Sequence, residues 1–241
     1  MKKTLSFLLI TAAAPISAQT AEVFTLPAGC EARLTIQTEA CSVDHIFTCE
    51  GDTEGNQRRI SIGENGAVTY AGEIDNETQW IESFHIGSGH VERLEADPRD
   101  RASFSELVEM GIDTYDFITE SDEVGETRYV GQDSLTGQQV IIDGVTLDVT
   151  QYNITAYDGA GDVKWASEGN EYISQRFRMF LSGSSKVTTE NGTFDNDDNP
   201  VEFIFPGETG FLSANPKFGC GETLSSAPSL IQRLESLNDK I

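Results

Sequence analysis

The stretch VTLDVTQYNITA, residues 145–156, decides the fold of this chain. Its apolar residues first occupy the odd positions of residues 145–149 and alternate with polar ones, which is typical of a β-strand with one buried face. From residue 152 the apolar residues occupy the even positions instead. A shift of one residue exchanges the two faces of a strand, so the change near Thr150 predicts a bulge or a crossing between two packed surfaces.

The segments around this stretch show a similar alternation. We interpret the chain from Tyr115 to Phe205 as successive antiparallel strands, and Asp143-Gly144 supplies a tight turn just before residue 145. Further upstream, residues 58–70 predict a hairpin around the turn residues Glu64-Asn65-Gly66. Most of the chain is therefore expected to form one antiparallel sheet.

Two short helices are predicted beside this sheet. Ser103 and Glu106 form the capping box Ser-x-x-Glu, and the residues that follow place apolar side chains on one helical face as far as Gly111. Near the C-terminus, Pro228 suits a first helical turn, and an apolar stripe runs from there to Ile241. We therefore predict a mainly β fold: a strongly curved, half-barrel-like antiparallel sheet with a short mid-chain helix and a C-terminal helix.

The N-terminal segment, residues 1–21, is typical of a secretory signal peptide. Two lysines precede an apolar run over residues 5–16, and small residues allow cleavage after Ala18 or Ala21. The run is shorter than the roughly 20 apolar residues that span a bilayer, and we predict no transmembrane segment. We expect residues 22–241 to be exported as a single β-rich domain, located in the periplasm or outside the cell.

The four cysteines point to two disulfide bonds. They are Cys30, Cys41, Cys49 and Cys220. An even number of cysteines in an exported chain favours disulfides, and none of them forms the Cys-x-x-Cys pair that many zinc sites use. Three pairings are possible, and the spacing does not choose among them. Every pairing uses Cys220, so one bond must connect the C-terminal part to a disulfide-pinned N-terminal region.

The charge of the chain excludes one broad class of partner. The formal net charge is −24 over 241 residues. So acidic a surface repels phosphate groups, which makes nucleic acid a poor partner, and it also avoids anionic membrane surfaces. We interpret the charge as a source of solubility, with binding of a cation or of a basic partner as the alternative.

Common enzyme signatures are absent from the sequence. The chain contains no Gly-x-Ser-x-Gly nucleophile elbow, no His-Glu-x-x-His zinc motif, no phosphate loop and no dinucleotide-binding glycine pattern. Disulfide formation would also use every cysteine. The sequence therefore assigns no catalytic residue, no ligand-binding residue and no cofactor, and it makes an enzyme the less favoured class.

Two histidines raise the question of a metal site. His85 and His90 flank Ile86-Gly87-Ser88-Gly89, and histidine is the commonest metal ligand. An odd spacing on one strand directs two side chains to opposite faces, unless the glycines form a turn. We therefore expect ordinary surface or turn histidines and no metal site.

The acidic residues offer further candidates that the sequence does not resolve. Asp195-Asn196-Asp197-Asp198-Asn199 places oxygen atoms at alternate positions, as calcium loops do, but Pro200 and Pro206 replace the glycine and glutamate of an EF-hand. We expect a solvated acidic turn there. A pair of catalytic carboxylates, as in glycosidases, cannot be selected from 40 acidic residues.

A set of aromatic residues has two interpretations. Its members are Trp80, Tyr152, Trp165, Phe177, Phe203 and Phe205. They are suited to line a hydrophobic cavity, but core packing is the expected role of such residues in strands.

A resemblance to known proteins rests on turn and strand residues in the middle third of the chain. The residues that carry it are Tyr129-Val130-Gly131, Leu135-Thr136-Gly137, Asp143-Gly144-Val145, residues 169–174, and the passage from Phe104-Ser105-Glu106-Leu107 to Asp113-Thr114-Tyr115-Asp116-Phe117. They resemble a family of uncharacterised exported bacterial proteins. In outline the chain is also similar to periplasmic curved-sheet envelope proteins, among them lipoprotein carriers. The resemblance implies the fold and supplies no catalytic residue.

Together these patterns predict a non-enzymatic exported protein. We expect it to bind a hydrophobic small molecule or an envelope protein in the concave face of its sheet. Long alternating strands would form this face, and the two amphipathic helices could cover the sheet. One alternative is a carboxylate-dependent hydrolase, with or without help from calcium. The other is a structural envelope component that has no pocket.

Overall fold

The computed structural model describes residues 23–221, which form thirteen strands and one helix. The strands are β1 (Cys30–Thr38), β2 (Ser42–Cys49), β3 (Gln57–Ile62), β4 (Val68–Ile74), β5 (Trp80–His85), β6 (His90–Leu94), β7 (Ile112–Glu120), β8 (Thr127–Ile142), β9 (Val145–Asp158), β10 (Val163–Ser174), β11 (Met179–Thr189), β12 (Gly192–Asp197) and β13 (Pro200–Ile204). The helix, α1 (Phe104–Met110), lies between β6 and β7. The predicted signal peptide and the predicted C-terminal helix lie outside the described residues.

All thirteen strands belong to one antiparallel sheet, which confirms a mainly β fold. Strands β1 to β12 pair in sequence order, while β13 pairs with β1 at the other edge. The short link between β12 and β13 forms hydrogen bonds near both ends of the strand order. The Asp198 amide donates to the Gly183 carbonyl at 3.1 Å, and the Glu39 amide donates to the Asn199 carbonyl at 2.9 Å. The sheet is open in its strand order, but it curls until its two edge strands are joined by this link.

Strand β9 changes its buried face where the sequence predicts it. Val145 and Leu147 pack in one apolar cluster, whereas Ile154 and Ala156 pack in another. Thr150, between the two pairs, is fully buried. The neighbouring strand β8 has a register shift between residues 135 and 139, opposite this point. The prediction of a crossing between two packed surfaces is confirmed.

The first of these clusters, here called the end core, is apolar throughout. Its buried members are Leu34, Ile36, Ile46, Val145, Leu147, Phe177, Met179, Leu181 and Phe203. Leu34 and Leu147 are almost completely buried, and burial of such a side chain contributes about 1.5–3 kcal/mol. The tip of the β8–β9 hairpin is fixed beside it, because the Asp143 carboxylate accepts the Phe203 amide at 2.8 Å. In the end core, side chains from five strands in both halves of the chain therefore pack against one another.

The mid-chain helix has the predicted ends. Ser103 is the N-cap and its hydroxyl accepts the Glu106 amide at 3.1 Å, while Gly111 ends the helix with a left-handed φ of 81°. The helix buries Phe104 and Leu107 in a cluster with Ile173 of β10. The N-cap and the apolar face thus act as the sequence predicts, whereas the Ser103 amide donates to the Asp113 carboxylate at 2.9 Å in place of the Glu106 carboxylate that a capping box uses.

Two disulfides fix the ends of the described chain. Cys30 bonds to Cys49 across β1 and β2, and Cys41 bonds to Cys220 over a sequence separation of 179 residues. A loop of that length is expected to stabilise the fold by about 4–5 kcal/mol in the chain-entropy model. The predicted bond between the C-terminal part and the N-terminal region is therefore present.

The structure also bears on the compartment. The two disulfides fit a secreted protein, because such bonds persist in oxidising surroundings. Nowhere between residues 23 and 221 does a helix have the length and apolar character needed to cross a membrane.

Candidate functional site

The curled sheet encloses a cavity of about 770 Å³. Every one of the thirteen strands contributes at least one residue to its lining. Alternate side chains of a strand point to the same face, so a curled sheet directs half of its side chains inward. Cavities of about 300–1,000 Å³ are typical of small-molecule sites.

One side of the cavity is formed by aromatic side chains, here called the aromatic wall. Its members are Trp80, Tyr115, Phe117, Tyr129, Tyr152 and Trp165. The ring of Trp80 meets Phe117 and Tyr129 edge-on, with centroid distances of 5.5 and 5.2 Å. Tyr129 also lies 6.0 Å from Trp165. These contacts hold the rings in a continuous cluster and leave part of their surface facing the cavity.

The aromatic residues singled out in the sequence divide between two roles. Trp80, Tyr152 and Trp165 line the cavity. Phe177 and Phe203 are buried in the end core, and Phe205 packs against it. The expectation of core packing is therefore right for the three phenylalanines. Tyr152 and Trp165 have both roles, because they pack against a second apolar cluster and also line the cavity, whereas Trp80 is 38% exposed and lines the cavity. The reason is that the residues face different packed surfaces.

Two arginines of the β3–β4 hairpin, predicted over residues 58–70, line the cavity. Arg58 forms ion pairs with Asp52 and Glu73, whereas no ion pair of the described residues involves Arg59. Arg59 lies over the ring of Tyr70, 5.0 Å from its centroid. Burial alone lowers the pKa of Arg59, but Asp44, Tyr70 and Glu171 together outweigh burial and raise it. Burial also raises the pKa of Asp198 across the cavity, and the nearby carboxylates Asp197 and Asp44 raise it further. This part of the cavity thus holds one arginine without an ion pair, Arg59, among several carboxyl groups.

Two further carboxyl groups face the cavity without a protein partner. Asp133 on β8 and Glu171 on β10 lie on either side of Tyr152, which pairs with Asp133 in the sheet register. Burial raises the pKa of Asp133 to about 7. Burial, with the charge of Asp133, raises the pKa of Glu171 to about 8. Among the hydrogen bonds and ion pairs of residues 23–221, none involves either side-chain carboxyl group.

The sequence analysis missed both of these groups. The available signal was an acidic residue at an inward position of an alternating strand, as in Tyr129-Val130-Gly131-Gln132-Asp133. Such a residue breaks the apolar pattern of the buried face, and sequence alone does not show whether that face meets a core or a cavity.

The two flagged histidines come together at the end of the β5–β6 hairpin. His85 pairs with His90 across the hairpin, and their rings stack with centroids 4.5 Å apart. The Gly89 amide donates to the His85 carbonyl at 2.8 Å, which closes the turn. The glycines therefore form the turn that the sequence analysis named as the exception to opposite faces, and this turn places both histidines on the same face.

Glu92 completes this group on the same face of β6. Its carboxylate lies 3.4 Å from Nε2 of His85 and 3.8 Å from Nε2 of His90. Tyr129 donates its hydroxyl to the same carboxylate at 3.2 Å. Burial opposes ionisation of Glu92, but the interactions with His85, Tyr129 and His90 together outweigh burial and lower its pKa. His85 and Glu92 both line the cavity.

The acidic segment considered for calcium is not a turn. Residues 195–197 belong to the edge strand β12 and are exposed, so successive side chains point to opposite faces. In the described part of the chain, the histidine, cysteine and carboxylate groups that come within ligating distance in threes are those of His85, His90 and Glu92, and none lies in this segment.

Comparisons with family models, with curated proteins and with solved structures find no match to this chain. The resemblance noted from turn and strand residues therefore stays an expectation.

Proposed function

We propose that this protein is an exported binding protein whose cavity takes a small amphipathic organic molecule with a basic group. The observation that carries the proposal is the combination of an aromatic wall with two cavity-facing carboxyl groups, Asp133 and Glu171, that have no partner among the described residues. The predicted signal peptide and the two disulfides support export.

The aromatic wall supports binding of an apolar body. Aromatic side chains offer large, rigid contact surfaces, and small-molecule sites are mostly apolar with a few placed polar groups. Tryptophan is also the side chain that attracts cations best through its ring face. A molecule with both an apolar part and a positive charge therefore matches this wall.

The carboxyl groups support a basic rather than an acidic ligand. Burial keeps Asp133 and Glu171 partly protonated near neutral pH, because a carboxylate without a partner is poorly solvated there. An ammonium group beside them would favour the ionised forms and form charge-assisted hydrogen bonds. An anionic ligand would meet Asp44 and Asp198 as well. Of the two arginines in the lining, Arg58 is already paired with carboxylates, which leaves the charge of Arg59 to attract such a ligand.

Intrinsic tryptophan fluorescence tests this proposal without a signal from tryptophans elsewhere in the protein. The chain has two tryptophans, Trp80 and Trp165, and both line the cavity. We expect octylamine to change their emission in a saturable manner at pH 7, with a Kd at least about tenfold below that of octan-1-ol. Octanoate, of the same length and opposite charge, should bind more weakly than either.

Matched variants locate the charge preference. The double variant Asp133→Asn, Glu171→Gln should lose the preference for octylamine over octan-1-ol. Glu168→Gln is the control, because Glu168 lies on the same strand as Glu171 but is exposed to solvent. Octanoate binding as tightly as octylamine, or no saturable change with any of the three probes, would contradict the proposal. Native mass spectrometry of protein purified without detergent would then identify a natural ligand by its mass.

A second candidate function, a carboxylate-dependent hydrolase, is favoured by the same two carboxyl groups. Raised pKa values in a cleft are typical of general acids, and Asp133 and Glu171 share one cavity. Hydrolysis of 4-nitrophenyl glycosides or esters that is lost in both Asp133→Asn and Glu171→Gln would support this candidate. Binding of octylamine without any such turnover would favour the binding protein. A structural component without a pocket gains no support from a cavity of about 770 Å³.

A further inference from the structure

We propose that His85, His90 and Glu92 bind one zinc ion in the wall of the cavity. Each side chain offers one ligand atom, and these atoms lie within 4.8 Å of one another. The site uses neither Asp133 nor Glu171, so it does not depend on the organic ligand proposed above.

The donor atoms are already close to the separation that zinc requires. Nε2 of His85 lies 3.4 Å from Oε2 of Glu92, and Nε2 of His90 lies 3.8 Å from Oε1. Ligand atoms about 2.0–2.1 Å from a tetrahedral zinc ion are about 3.3 Å apart. The hairpin register fixes this arrangement, because His85 pairs with His90 and Glu92 lies two residues further along the same face of β6. Small side-chain movements would close the site around a metal.

The surrounding groups orient the three ligands. The Ser88 hydroxyl lies 2.9 Å from Nδ1 of His90, which leaves Nε2 as the atom that faces the carboxylate. The Tyr129 hydroxyl donates to Glu92 at 3.2 Å. Metal-binding histidines and carboxylates are usually held by such outer hydrogen bonds, which fix their orientation.

The charge of the site also favours a cation. Glu92 is 5% exposed, and among the described residues its ion-pair partners are His85 and His90, without any lysine or arginine. A buried carboxylate needs a compensating positive charge, and a zinc ion would supply it. Two imidazoles with one carboxylate suit zinc, whereas calcium and magnesium prefer oxygen ligands.

The position of the site relates it to the cavity. His85 and Glu92 line the cavity, so a fourth coordination position would face it. Three protein ligands with one open position are the arrangement of zinc sites that also bind water or a donor atom of another molecule. A zinc ion here would therefore be accessible to a molecule inside the sheet.

Calorimetric titration of the metal-free mature protein with zinc chloride tests the site. We expect one ion per chain with a Kd of about 1 µM or below. His90→Gln and Glu92→Gln should each raise the Kd by about 100-fold, since each removes a ligand. Glu82→Gln is the control, because Glu82 lies on the same hairpin but pairs with Arg93 at 2.8 Å. The Kd of this variant for zinc should equal that of the parent.

A second measurement on the unaltered protein does not depend on how the variants fold. Diethyl pyrocarbonate modifies accessible histidines, and zinc should slow its reaction with His85 and His90. His45, which is fully buried, should react slowly with or without zinc. No zinc binding with a Kd below about 100 µM, or equal modification rates with and without zinc, would overturn the proposal and leave an ion pair between histidines and a carboxylate.

Discussion

The end core and the cavity lie inside the same sheet and share strand β9, yet they differ in content. The end core is made of apolar side chains such as Leu147 and Phe203. The cavity combines an aromatic wall with Arg59, Asp133 and Glu171. The two regions adjoin, because the end-core residues Ile36, Ile46, Met179 and Leu181 also line the cavity. Within β9, the change of buried face at Thr150 assigns one half of the strand to the end core and the other half to the cavity.

This difference shows how stability and binding can be divided within one sheet. Close packing in the end core stabilises the fold through buried apolar area. The cavity lacks much of that packing. Ionisation of its carboxyl groups away from water also destabilises the folded state. We therefore expect the end core to carry more of the folding free energy and the cavity to carry the binding.

The largest expected effect comes from truncating one side chain of β9 in each region. Leu147→Ala should lower the free energy of unfolding by about 2–5 kcal/mol, because it creates a void in close-packed surroundings. Ile154→Ala removes a similar volume beside the existing cavity and should cost about half as much, since the neighbours already lack contacts on that side. Urea unfolding of both variants measures the difference. Equal losses would show that the two regions are packed alike.

The second effect is a dependence of stability on pH to which the cavity contributes and the end core does not. The folded pKa of Asp133, about 7, is above its ordinary value, so the folded state binds the proton more strongly than the unfolded state does. The stabilisation is present below about pH 4 and is lost as the pH rises to about 7. Asp133→Asn should therefore gain about 4 kcal/mol in stability relative to the parent between pH 4 and pH 8.

Chemical denaturation at a series of pH values checks this expectation. Asp195→Asn, which changes an exposed aspartate of β12, is the control and should follow the parent at every pH. A constant difference between Asp133→Asn and the parent from pH 4 to pH 8 would mean that Asp133 does not titrate as its burial implies. The end core, which contains no ionisable side chain, should contribute nothing to the pH dependence.

The fold was largely predictable because its signals are local. The parity change in residues 145–156, the turn at Asp143-Gly144 and the capping box at Ser103 each act over a few residues. The structure confirms the first two, and it confirms Ser103 as the N-cap, although Asp113 takes the place of Glu106 as the acceptor of the Ser103 amide. The pairing of β13 with β1 was not predictable, because it depends on how far the whole sheet curls.

The candidate site was predictable only in part, since cavity and core use the same alternation. Trp165 and Phe203 occupy equivalent apolar positions of two strands, yet one lines the cavity and the other is buried in the end core. The grouping of His85 with His90 depends on the turn between them, which the glycines permit but do not require. Glu92 lies beside them because of the register in which β5 pairs with β6, and predicting this contact requires knowledge of that register.

The smallest expected effect separates binding from stability with two aromatic substitutions. Trp165→Phe should raise the Kd for octylamine by about threefold to tenfold, because phenylalanine attracts cations less strongly than tryptophan. The free energy of unfolding should change by less than about 1 kcal/mol, since Trp165 is only partly buried. Trp80 remains in this variant as the fluorescent reporter.

Phe203→Leu is the matched substitution in the end core. It should lower the free energy of unfolding by about 1–2 kcal/mol, because Phe203 is 3% exposed and its ring is closely packed. The Kd for octylamine should not change, since this residue does not line the cavity. A larger effect on the Kd from Phe203→Leu than from Trp165→Phe would mean that the end core and the cavity are one coupled unit, and that the change of face at Thr150 does not separate stability from binding.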